Sequence, residues 1–81
     1  MTYINGLDSK NTTYHIIYSL ELINGEKVIM YGIEGKLDEE VVFLSSLSDN
    51  KKRIQNLIDR MNYVNFPLDF LSSVVENFFE Q

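Results

Sequence analysis

The chain has 81 residues, with twelve carboxylates against seven lysines and arginines, and no cysteine or tryptophan. That length makes one domain, which buries only roughly 60–65% of the surface its unfolded form exposes, and it leaves no room for a two-domain enzyme. A net charge of -5 argues against general nucleic-acid binding, which needs a basic footprint, and without cysteine there is no disulfide framework, thiolate nucleophile or Cys-ligated zinc.

Residues 1–11 are turn-rich and polar (Asn5-Gly6, Asp8-Ser9, Lys10-Asn11) and read as a loose N-terminal segment ahead of a single domain over 12–81. From Thr12 to Leu22 the pattern has period two. Tyr14, Ile16, Tyr18, Leu20 and Leu22 share one face, and His15, Ile17, Ser19 and Glu21 the other. This is a strand rich in β-branched and aromatic residues.

Asn24-Gly25 between alternating runs is a strong hairpin signal and implies a type I′ turn. The turn fixes the register. Leu20 then faces Ile29, Tyr18 faces Tyr31 and Ile16 faces Ile33, all on one face, so turn and hydrophobic pattern agree. The opposite face pairs Ile17 with Gly32, Ser19 with Met30, Glu21 with Val28 and His15 with Glu34.

Gly35 to Glu40 reads as a second turn, and Val41-Val42-Phe43-Leu44 as a third strand, presenting either Val41/Phe43 or Val42/Leu44 to a given face. Ser45 to Asp49 ends it and offers helix N-caps. Ile54, Leu57, Ile58 and Met61, at i, i+3, i+4 and i+7, predict an amphipathic helix over about residues 49–62. Pro67 suits the first turn of another helix, with Asn65 or Phe66 before it. In that helix Leu68, Phe70, Leu71, Val74, Val75, Phe78 and Phe79 cover half the circumference. The expected fold class is α+β: a three-stranded antiparallel sheet (β-β-β) followed by two helices packed on its Tyr18/Tyr31/Ile33 face.

Tyr31-Gly32-Ile33, Leu44-Ser45-Ser46-Leu47-Ser48 and the run from Pro67-Leu68-Asp69 to Val74-Val75-Glu76-Asn77-Phe78 carry a resemblance. The chain resembles an uncharacterised family of short proteins from low-GC, spore-forming Gram-positive bacteria, over residues 12–80. In that family a Tyr-Gly-Ile strand precedes an Ile-Ser helix start, a proline, a Leu and a Val-Val-Glu-Asp-Phe-like ending. Leu47-Ser48 and Asn77 depart from its usual residues. The resemblance implies the same fold and a soluble, bacterial protein, and no activity or site residue.

No signal peptide, membrane-length apolar run or lipidation motif is read, so the expected location is the cytoplasm, with no membrane partner. His15 beside Glu34 could form an acid–base unit. Ser19, however, lies roughly 13 Å along the strand at the usual rise, so a cross-strand charge pair is the better reading. Asp38-Glu39-Glu40 matches no calcium-loop spacing and reads as a solvated acidic turn. Lys51-Lys52-Arg53 falls in the first turn of a helix, against the helix dipole. It reads as a solvated face, with contact to an anionic ligand left open. Tyr14, Tyr18 and Tyr31 could make a base-stacking platform, but their apolar neighbours favour a core role.

Surplus hydrophobicity remains. The hairpin's second face holds Ile17, Val28 and Met30, and the chain has no further element to cover it. The exception would be Tyr3, Ile4 and Leu7 folding back. The last helix is also wider in its apolar face than one-sided packing requires. Such patches mark interaction surfaces. The sequence therefore reads as a small non-enzymatic protein-interaction or regulatory module without cofactor or metal. It would self-associate or dock on a protein through Ile17, Val28, Met30, Phe70 and Phe79. The alternative is an acidic inhibitor that presents Asp38, Glu39 and Glu40 to a basic site.

Overall fold

The computed structural model describes residues 11–79; residues 1–10, including Tyr3, Ile4 and Leu7, lie outside the described residues. Strands β1 (Thr13–Ile23), β2 (Glu26–Leu37) and β3 (Glu40–Ser48) form an antiparallel sheet in the order β1-β2-β3. Helix α1 (Lys51–Tyr63), a 3-10 turn (Leu68–Phe70) and helix α2 (Leu71–Phe79) follow. The hairpin has the register that its turn dictates, from Thr13 opposite Lys36 to Ile23 opposite Glu26 without interruption. Both turn residues take the left-handed conformation that a type I′ turn requires, Asn24 with φ 52° and Gly25 with φ 82°.

The third strand is longer than its apolar run. Ile33 faces Leu44, but Tyr31 faces Ser48, so three β3 residues stand where β2 has only Gly32. A bulge absorbs the excess, with Ser46 at φ 57°. Its backbone crosses directly over Gly32, where an added Cβ would meet the Leu44 carbonyl and lie 2.8 Å from Ser45 Cα. The bulge lets Ser45 to Ser48 stay in the strand rather than end it, and Leu47 packs against the core.

The helix therefore starts one residue beyond the expected caps. Asn50 is the cap, its side chain accepting from Arg53 N at 3.1 Å, while Ser48 Oγ accepts from Asn50 N. At the other end Asn65 holds φ 52°. Phe66 N donates to Met61 O and Asn65 N to Asn62 O, a Schellman closure with asparagine in the glycine position. Asn65 thus terminates α1 rather than starting the next helix. Pro67 instead precedes a 3-10 turn, and regular α2 begins only at Leu71.

The core sits at one end of the sheet. All four stripe residues of α1 are buried, together with Tyr14 and Ile33 of the sheet and Leu68, Leu71 and Val75 beyond α1. Val42 and Leu44, not Val41 and Phe43, are the β3 residues that pack inward. Tyr14 lies over Gly35, where a Cβ would come within 2.9 Å of the ring. Its hydroxyl donates to Phe66 O at 2.6 Å.

Asn62 closes the lower edge of β1. Its side-chain oxygen accepts from Tyr14 N at 2.9 Å, and its amide donates to Tyr14 O at 3.0 Å, as a neighbouring strand would. Asn65 Oδ1 likewise accepts from Thr12 N.

Burial pushes the Tyr14 phenol from 10.0 up to about 12. The neutral form is therefore favoured in the folded state. Its stabilising contribution is complete below pH 10 and is lost as pH rises from about 10 through about 12. Alkaline unfolding of the parent should show this loss, and Tyr14→Phe should flatten that part of the stability curve. An unchanged slope in the variant would refute the assignment.

Candidate interaction surface

The hairpin outruns its cover. Eleven residues of β1 span about 36 Å at the strand rise, whereas the thirteen residues of α1 span only about 20 Å. β3 pairs with β2 no further than Tyr31. Beyond the Tyr18–Tyr31 pair, the hairpin projects as a two-stranded arm.

The arm corrects the expected packing. The helices do occupy the face that carries Tyr14, Ile16 and Ile33, yet Tyr18, Leu20 and Leu22 on that face are 65–75% exposed, and Ile29 is 47% exposed. Tyr18 is therefore not a core residue, unlike Tyr14. At the foot of the arm a groove of about 390 Å³ is lined by Ile16, Tyr18, Ile29, Tyr31 and Lys51. Its floor is apolar and its one charged wall residue comes from the first turn of α1. The arm's inner face thus presents apolar side chains with Lys27, opposite Leu22, near the tip and Lys51 at the foot.

The residues singled out in the sequence are distributed differently. Ile17, Val28 and Met30 lie half-buried on the outer face, where the β3 bulge passes over Gly32. Ser46 Oγ donates from that bulge to Glu21 Oε2, which also accepts from Ser19 Oγ at 3.1 Å. The expectation that no element covers this face is thus corrected, because β3 itself folds partly across it. Phe43 remains 60% exposed and Val41 39% exposed there.

Phe70, the last residue of the 3-10 turn, is 57% exposed. Phe79 is half-buried and meets Phe78 edge to face, with ring centroids 5.2 Å apart. The Arg53 guanidinium stands 4.7 Å from the Phe78 ring centroid and 5.0 Å from that of Phe79. Its Nη2 donates to Phe78 O at 3.3 Å. Arg53 is thereby set apart from Lys51 and Lys52: a cation unfavourable at the start of its own helix serves the carbonyl end of α2.

His15 faces Glu34 as the register requires. Both belong to the outer face with Ser19, whose hydroxyl is engaged by Glu21 rather than by the histidine. Asp38, with φ 56°, and Glu39 form the β2–β3 turn, with Glu40 opening β3. Among the described residues no three His, Asp or Glu side chains converge as a metal-holding group. None of the helices there is long and apolar enough to cross a membrane.

Tyr18, Leu20, Leu22 and Ile29 escaped the sequence reading because their alternation is that of a buried face. The signal that exposes them is the mismatch between strand length and helix length. Comparison with known proteins adds no assignment: no family model, curated protein or solved structure matches the chain.

Proposed function

We propose that the chain is a small, non-enzymatic protein-interaction module of the cytoplasm, which engages a protein through its apolar hairpin arm. The observation that carries this reading is the exposure of Tyr18, Leu20, Leu22 and Ile29 in one continuous patch. A two-stranded hairpin is marginal by itself in water, and burial of a large apolar side chain is worth about 1.5–3 kcal/mol. An arm of this composition gains most by being covered.

The test is Leu20→Lys. The site is exposed, so unfolding stability should change by no more than about 0.5 kcal/mol. Association, read as solution mass and as retention of binding partners, should be lost. Met30→Lys on the outer face is the control. If Met30→Lys abolishes association and Leu20→Lys does not, the outer-face residues Ile17, Val28 and Met30 form the surface instead. If neither variant alters any association, the interaction reading fails.

A further inference from the structure

We infer that the partner of the arm is a second copy of this chain, joined edge to edge through antiparallel pairing of β1 with β1. This rests on the interaction reading and specifies its partner and geometry. Among the described residues, strand β1 is an edge strand along its whole length. Tyr14 turns its N–H and C=O away from β2, toward Asn62. The hairpin register is unbroken, so the same outward direction recurs at every second residue: Ile16, Tyr18, Leu20 and Leu22. Among the described residues, nothing pairs with those groups. The edge has no proline and no bulge, and its only acidic residue is Glu21. It therefore lacks the usual devices that block strand addition. The other edge of the sheet, β3, carries both a bulge and an acidic start.

The edge is complementary to itself in one register. Setting Ile16 opposite Leu22 of the second copy, and Tyr18 opposite Leu20, pairs all four open residues in both directions. Roughly eight main-chain hydrogen bonds result. Ser19 then meets Ser19 at the two-fold axis, and Glu21 meets Ile17, so no like charges face each other. The turn residue Asn24 of the second copy falls opposite Tyr14, the point at which Asn62 takes over the edge. Sliding one step toward the base sets Leu22 against Tyr14, whose groups Asn62 already holds. Sliding one step the other way leaves Ile16 facing the turn.

Charge also separates this arrangement from face-to-face packing of two arms. Tip-to-foot stacking would bring Lys27 of one copy toward Lys51 of the other, a like-charge contact. Edge pairing leaves both lysines apart and sets Tyr18 beside Leu20 of the second copy on a continuous apolar face. The product is a six-stranded sheet with a β1–β1 centre and isologous symmetry.

The experiment uses the full chain. Light scattering should read about twice the 9.5 kDa of one chain. The chain contains no cysteine, so Ser19→Cys introduces a single thiol per copy. In the inferred register the two thiol-bearing residues have Cα atoms about 4.5 Å apart, within the roughly 4.4–6.8 Å that a disulfide spans. Mild oxidation should convert most of the protein to a covalent dimer, while His15→Cys, facing Ile23 of the second copy, should stay largely uncoupled. Leu20→Pro removes an outward N–H and none of the hairpin's own bonds, and should halve the solution mass. Should that variant fail to fold, Ser19→Lys, which sets two cations opposite each other at the axis, should halve it as well. A monomeric parent overturns the inference, as does a dimer in which Ser19→Cys couples no better than His15→Cys. In either case the broader interaction reading stands or falls separately, on Leu20→Lys against Met30→Lys.

Discussion

Gly32→Ala is expected to destabilise the fold by about 3 kcal/mol or more, a large fraction of the stability of a domain this small. The new methyl group would point at the backbone of β3, meeting the Leu44 carbonyl and approaching Ser45 Cα to 2.8 Å. Backbone atoms in a paired strand cannot swing aside as a side-chain tip can. Relief requires the bulge to lift, which would draw Ser46 from Glu21 and Leu47 from the core. Gly25→Ala provides the contrast. Its Cβ meets nothing within 4 Å, and only the φ of +82° opposes it, for a cost of about 1–2 kcal/mol. Urea unfolding of both variants measures the difference. A Gly32→Ala protein as stable as Gly25→Ala would mean that β3 does not cross where described.

The second large effect is expected at Ile33. Ile33→Ala should cost about 2–5 kcal/mol, because the side chain is fully buried between the sheet and the helices. Ile29→Ala, four residues back on the same strand and face, should cost less than about 1 kcal/mol, since Ile29 is 47% exposed. The two residues are the same type, share one pleat direction and face Ile16 and Leu20 in turn. Only their distance from the helices separates them. Equal losses at both sites would show that the arm is covered, whether by the rest of the chain or by a second copy. Repeating Ile29→Ala on the Leu20→Pro background, which edge pairing expects to be monomeric, separates those two sources.

Local chemistry made the hairpin legible. Asn24-Gly25 sets a two-residue turn, and the alternation on either side admits one register. The same holds for α1, whose stripe of Ile54, Leu57, Ile58 and Met61 is buried in full. Less was legible wherever a residue serves a distant segment. Asn62 reads as an ordinary polar helix position, yet its amide closes the edge at Tyr14, forty-eight positions away in sequence. Arg53 reads as part of a basic run, yet its guanidinium lies over Phe78 and Phe79. Gly32 reads as a strand glycine opposite Ile17, and nothing local shows the β3 backbone above it.

Length, charge and composition point to a small acidic domain with more apolar residues than covering elements. The order of elements, the hairpin register and the apolar face of each element follow from turn geometry and from periods of two and 3.6 residues along the chain. How far the cover reaches depends instead on packing between distant segments. Helix and strand rise by different lengths per residue, and β3 spends three residues on a bulge instead of extending beside the arm. Among the described residues, the uncovered surface is therefore the distal half of the helix-bearing face and the β1 edge beside it, while the opposite face is partly overlain by the bulge.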